Sequence, residues 1–183
     1  MELRGKRAVV TGGSRGIGAT TVTALADKGA DVAVVYHSNE VKAKKVAEAA
    51  KEKGVKALAF SADLRVWSDV QRLMADIKEQ LGGIDILVNS AGINGPNSVI
   101  EEISVDEWKD VIDSNLSSAF YCVKAALDEL KKNKGGQFSP KVVDTFLSVL
   151  RSKEKLRSGS DERSKYKEEA IHLRKREKLY RLS

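Results

Sequence analysis

The chain has 183 residues, 42% hydrophobic and 32% charged, a balance that supports one good core and at most a small appendage. No apolar run approaches the roughly 18 residues that cross a bilayer, and residues 1–7 are followed only by Ala8-Val9-Val10, too short a stretch for a secretory signal. Cys122 is the single cysteine and so forms no internal disulfide, which makes a reducing cytoplasm the expected compartment; His37 and His172 lie far apart with no cysteine cluster, which argues against zinc. The net charge of +6 is uneven: residues 1–130 carry 16 Lys and Arg against 19 Asp and Glu, a net −3, whereas residues 131–183 carry 16 against 7, a net +9.

Short apolar runs alternate with amphipathic stretches in the first part, the rhythm of βαβ units and a parallel sheet. Residues 7–11 (RAVVT) read as a buried first strand and 17–28 as the helix after it. Residues 31–35 (DVAVV) form a second strand, and 39–53 a Lys/Ala-rich helix stopped by Gly54. A third strand is expected at 56–60, a third helix at 66–81 ended by Gly82-Gly83, and a fourth strand at 84–89 (IDILVN). Ser104, with Glu107 three residues on, has the pattern of a capping box opening one long helix to about residue 132. Right-handed crossovers are expected between the strands. Trp67 and Trp108 are read as packing residues.

The remainder differs in kind. Gly135-Gly136 breaks the helix, and Ser139-Pro140 looks like an N-cap followed by proline at the first helical position. Val142, Val143, Phe146, Leu147 and Leu150 fall on one helical face. Ser158-Gly159-Ser160 resembles a linker, and residues 161–182 are highly charged, with no strand pattern anywhere after residue 90. The charges interleave, as in Lys167-Glu168-Glu169 and Lys175-Arg176-Glu177-Lys178, which suits a solvated helix with i,i+4 pairs better than a nucleic-acid contact. His172 belongs to the surface of that helix. The chain thus divides into residues 1–134 and a basic helical tail, 135–183.

Thr11-Gly12-Gly13-Ser14-Arg15-Gly16-Ile17-Gly18 sits where the first strand gives way to the first helix. Glycines there permit a tight turn, close approach of backbone to a pyrophosphate and close packing of helix on strand. The helix N-terminus adds unpaired N–H groups and a positive dipole end. The plain alternative is a simple β-to-α turn.

The spacing G-x-x-x-G-x-G behind Thr11 resembles the short-chain dehydrogenase/reductase family, and further motifs follow in order. Ala62-Asp63-Leu64 resembles the family's acidic residue that hydrogen-bonds adenine. Asn89-Ser90-Ala91-Gly92 resembles its N-N-A-G motif, with Ser in place of the second Asn. Asp113-Ser114-Asn115-Leu116 carries the Asn that, in the family, kinks the following helix and supports a proton relay. Over residues 1–130 the 3-oxoacyl-acyl-carrier-protein reductase group is the most similar. The resemblance implies an α/β, Rossmann-like three-layer sandwich with strand order 3-2-1-4, its C-terminal strands here replaced by a helical tail. It implies a dinucleotide held by Gly12, Ser14, Arg15, Gly16, Ile17, Gly18, Ser38, Asn39, Asp63, Leu64, Asn89, Ala91 and Gly92.

The cofactor choice follows from charge. NAD use generally needs an acid near the end of the second strand to accept from the ribose 2′-hydroxyl. Here that place holds Tyr36-His37-Ser38-Asn39, with no carboxylate before Glu40. Arg15 in the glycine turn can meet a 2′-phosphate, and Ser38 and Asn39 can add donors, so NADP(H) is expected. The alternative for Arg15 is a solvated loop cation.

The family's catalytic Ser, and its Tyr followed four residues later by Lys, have no counterpart. Tyr36, Tyr121 and Tyr166 are followed at that spacing by Glu40, Ala125 and Ala170, and the sequence ends three residues after Tyr180. Of the relay only Asn115 is left. Residues 135–150 instead weakly resemble the closing helix of HD-GYP domains, without that family's metal ligands. Three readings stand. One is an NADP(H)-binding half of a reductase, truncated or recombined after residue 134 and catalytically incomplete. Another is a non-enzymatic chimera or assembly module. The third is an active reductase whose acid/base comes from Tyr166, Tyr180 or a partner chain. Self-association is expected through residues 104–132 or the sheet edge; neither nucleic acid nor membrane is an expected partner.

Overall fold

Every residue from Ala8 to Val10 and from Val32 to Val35 is fully buried, which is what a strand covered on both faces requires and why these runs show no polar alternation. The computed structural model describes residues 2–132. The expected helix from Ser139-Pro140, the charged segment 161–182, Tyr166 and Tyr180 lie outside the described residues.

Four parallel strands, β1 (Arg7–Thr11), β2 (Asp31–Tyr36), β3 (Ala57–Ser61) and β4 (Ile86–Val88), lie in the order β3-β2-β1-β4. Register runs Arg7 opposite Asp31 through Thr11 opposite Val35, with Ala8 opposite Ile86 and Val32 opposite Ala57. Alternate side chains feed two apolar layers. Val9, Ala33 and Val35 pack with Val70, Leu73, Met74 and Ile77 of α3 (Trp67–Leu81) and with Cys122 and Ala125 of α5 (Ser118–Lys132). Val10, Val32 and Val34 pack with Val22 and Ala26 of α1 (Gly16–Asp27) and with Ala43, Ala47 and Ala50 of α2 (Glu40–Lys51). The alanine stripe explains how a helix so rich in lysine still docks: its small side chains meet the sheet while the charges stay in water. The result is the three-layer α/β sandwich expected from the sequence.

Local chemistry sets the boundaries. The Asn39 side chain accepts the Lys42 N–H at 3.1 Å and opens α2, while Gly82, at φ +83°, closes α3 in the left-handed conformation. Arg7 fastens the amino end of β1 to the start of β4: its N–H and its Nε both donate to Asp85 Oδ2, at 2.9 and 2.7 Å. Burial alone would raise the Asp85 pKa, but these two bonds outweigh it and hold the carboxyl below its ordinary value.

Three expectations need correction. The fourth strand is Ile86–Val88 rather than residues 84–89, because the N–H groups of Ser90 and Ala91 turn to the Thr11 hydroxyl instead of a ladder. The long helix from residue 104 is not continuous. The Ser104–Glu107 capping box forms and opens α4 (Val105–Ile112), but a π-helical turn at Asp113–Ser117 separates it from α5. There the Ser118 N–H reaches back five residues to the Asp113 carbonyl. Trp67 packs as expected, 5.7 Å from the Tyr121 ring, whereas Trp108 is 59% exposed and is not a packing residue.

Candidate functional site

From β1 the chain winds one way to β2 and β3, then crosses to β4 on the other side. The crevice where strand order reverses lies at the carboxyl ends of the strands, where open α/β sheets bind ligands. A cleft of about 610 Å³ opens there, within the usual size of a small-molecule site.

The glycine turn forms its floor. A side chain at Gly18 would run into the Gly12 carbonyl, so only glycine lets α1 sit directly on the turn. Gly16 is different: its φ is +53° and a Cβ there would meet nothing within 4 Å, which leaves backbone open to the cleft. Arg15, the N-cap of α1, is extended and makes no side-chain cap bond, and no acidic residue lies in the first turn. The helix end therefore keeps its positive dipole and its free N–H groups for an outside anion. Arg15 forms no ion pair with a described residue. Ser14 and Ile17 line the same floor.

The β2 side of the cleft is Tyr36, His37, Ser38 and Asn39. The Asn39 oxygen is committed to capping α2, which leaves its amide nitrogen as the donor. Glu40 pairs with Lys44 at 2.6 Å.

Asp63 and Leu64 follow β3. The Asp63 carboxylate is gripped by Arg65, whose Nε lies 3.0 and 3.2 Å from its two oxygens and whose Nη2 lies 2.8 Å from Oδ2. Those bonds hold the Asp63 pKa down to about 2 against the opposing effect of burial. Arg65 Nη1 also donates to Asp110 of α4, at 2.9 Å.

Beyond β4 the wall is Ser90, Ala91, Gly92 and Ile93. Thr11 holds it: its hydroxyl accepts from the N–H of Ser90 at 3.0 Å and of Ala91 at 3.1 Å. Asn115 holds it from the other side, accepting the Ile93 N–H at 2.8 Å and donating to the Ile93 carbonyl at 3.0 Å. The π-helical turn carries Asn115 to this contact, while Ser114 and Ser118 line the cleft.

Twelve of the thirteen residues expected to bind the dinucleotide therefore line one cleft. Asn89 does not; the lining of that wall begins at Ser90. The lining residues that the sequence reading did not assign include Tyr36, His37, Arg65, Ile93, Asp110, Ser114 and Ser118. Only Arg65 had a usable signal, a cation two residues beyond an acid at a strand end. Tyr121 packs among Trp67 and Phe120. No cluster of three metal-ligating side chains and no helix long and apolar enough to cross a membrane occurs among the described residues.

Residues 6–138 match the sequence model described as short chain dehydrogenase. A 3-oxoacyl-[acyl-carrier-protein] reductase of Staphylococcus epidermidis is 37% identical over 131 residues, covering 72% of this chain and 53% of the relative. Glucose 1-dehydrogenase 2 of Bacillus subtilis is 36% identical over 132 residues, covering 72% and 51%. Among solved structures, a dehydrogenase/reductase of Sinorhizobium meliloti aligns with a TM-score of 0.68 at 38% identity, over 70% of this chain and 50% of that one. A short-chain dehydrogenase of Burkholderia cenocepacia in complex with NADP aligns with a TM-score of 0.67 at 36% identity, over 70% and 52%. The chain spans about half the length of the curated relatives it matches. On sequence, strand order and glycine turn together, the chain belongs to the short-chain dehydrogenase family.

Proposed function

We propose that residues 1–134 form a unit that binds NADP(H) in the cleft at the strand ends, with 135–183 as a separate basic tail. The observation that carries this reading is the unpartnered positive end of α1. Arg15 and the open Gly16 backbone face a cleft whose β2 side has no free carboxylate. A dinucleotide fits that donor set: the helix terminus suits its pyrophosphate, and Arg15, Ser38 and the Asn39 amide suit a 2′-phosphate. Asp63 and Leu64 form the adenine side, and Ala91 and Gly92 the opposite wall. The relative of known structure in complex with NADP supports the choice.

NADP(H), when bound, supplies or accepts a hydride, which makes the lineage that of an oxidoreductase acting on carbonyl groups. The chain's own contribution is to bind and orient. No Tyr-x-x-x-Lys occurs in the sequence, and the Asn115 amide is engaged with Ile93. Tyr36, Tyr121 and Tyr166 are not followed by Lys at the spacing the family uses, so the role read for residues 1–134 is to bind and orient the dinucleotide.

An exposed apolar row on α4, the π-helical turn and α5 (Val105, Trp108, Leu116, Phe120 and Val123) favours self-association as well. The outer edge of β4, unpaired by any described strand, is the other candidate surface. An assembly role and a catalytic group supplied by a second chain both depend on that association.

The test is a titration of NADPH into the intact chain and into Arg15→Ala. Loss of one charge-assisted contact, about 1.5–3 kcal/mol, weakens NADPH binding roughly ten- to a hundredfold and leaves NADH binding nearly unchanged. Equal loss for both dinucleotides removes Arg15 from the role.

A further inference from the structure

We propose that the flank of α1 turned away from α2 is a binding groove for an aliphatic carboxylate, with the chain laid along the helix and the head group at Lys28. The site is separate from the dinucleotide cleft and stands without that reading.

A surface helix turns charge to the water on the face opposite its core stripe. α2 does so, with six charged residues in twelve. α1 has the same length and only one, Asp27, which is spent on a pair with Lys53 on the α2 side. Val22 and Ala26 enter the core, but Ile17, Thr20, Thr21 and Ala24 line a groove of about 650 Å³ on the other flank, within the size of a small-molecule site. Ile17 is 81% exposed. The two threonines offer the groove no free donor, because their hydroxyls donate to the Gly16 and Ile17 carbonyls at 3.2 and 2.8 Å. The N-terminal arm supplies a second wall: the Leu3 N–H donates to the Lys28 carbonyl at 2.8 Å and holds Leu3 at the helix end.

The groove is therefore apolar along its length and carries a single charged side chain, Lys28, at one end. Lys28 makes no ion pair with a described residue. From Ile17 to Lys28 the helix runs about 16 Å, room for a medium-length hydrocarbon chain. Uncharged walls reject a polar chain, whose groups would be buried unpaired, and the lone cation at the end selects an anionic head. Size argues against a protein partner. Eight residues line the groove, whereas a stable protein interface takes about 20–30 a side.

The experiment titrates the full chain by calorimetry with dodecanoate and with dodecyltrimethylammonium, each below its micelle concentration. Dodecanoate binds saturably and is favoured over the cation about two- to fivefold, the worth of an exposed ion pair. Lys28→Gln removes that preference. Ala24→Glu, at an exposed position within the groove, sets a charge against the hydrocarbon chain and weakens dodecanoate roughly tenfold or more, with the far-ultraviolet circular dichroism unchanged. The net +9 of residues 131–183 also attracts anions; dodecanoate binding that neither variant alters belongs to that charge and overturns the proposal. Binding seen only at or above the micelle concentration is adsorption to an assembled surface and overturns it as well.

Discussion

Thr11 has one hydroxyl and three backbone partners: it accepts from Ser90 and Ala91 and lies 3.4 Å from the Val88 carbonyl, to which it donates. The side chain is 1% exposed, so water does not replace these bonds when they are lost. Thr11→Val keeps the shape and leaves two amides unpaired, which lowers stability by about 1–3 kcal/mol in a urea titration; a change below about 0.5 kcal/mol contradicts the assignment. Asp63 gives a second test at this scale. Its pKa lies near 2 in the fold against an ordinary 3.8, so its contribution is complete above the ordinary value. That contribution is lost as pH falls from about 3.8 towards 2. Asp63→Asn should therefore show a shallower loss of stability across that window than the unmodified chain. Equal slopes contradict the pairing with Arg65. Asp85, held down by Arg7, titrates in the same direction and remains in both proteins.

At the scale of elements, the strands and the first three helices were legible because their signals are local. The buried runs Ala8-Val9-Val10 and Val32 to Val35 had no polar alternation to confuse them, and Asn39, Gly82 and Ser104 mark helix boundaries by side-chain or glycine chemistry. The break between α4 and α5 was not legible as a π-helical turn. Its cause is long-range: Asn115 is drawn to the backbone of Ile93, 22 residues earlier in the chain. The floor of the cleft was legible in the glycine spacing for the opposite reason, since Gly18 packs on the Gly12 carbonyl six residues away and Gly16 takes its positive φ in the turn between them. Arg65 and Asp110 stand 45 positions apart and meet only in the fold. Asn115→Ala removes both bonds to Ile93. It should raise amide exchange at Ile93 by roughly tenfold or more, the equivalent of about 1.4 kcal/mol of local opening, while exchange in β1 and β2 stays unchanged. Unaltered exchange at Ile93 would mean that the loop is held by other contacts.

For the molecule as a whole, composition already separated a mildly acidic part from a strongly basic one, and the family match ends near that division, at residue 138. Hydride transfer to a carbonyl builds negative charge on oxygen, and a positioned acid typically contributes about 10²–10⁴ in rate. With no Tyr-x-x-x-Lys in the sequence, NADPH oxidation with acetoacetyl thioesters or simple ketones should stay well below about one turnover per second. A rate at or above that level restores the reading in which another tyrosine or a partner chain supplies the proton. Binding is the more direct question, because every role assigned to Arg15, Gly16 and Asp63 depends on it. Side-by-side fluorescence titrations of the intact chain with NADPH and NADH decide it. The account predicts saturable binding of both with NADPH preferred by roughly tenfold or more, the worth of a charge-assisted contact to the 2′-phosphate; superimposable curves, or no saturation with either, would contradict it.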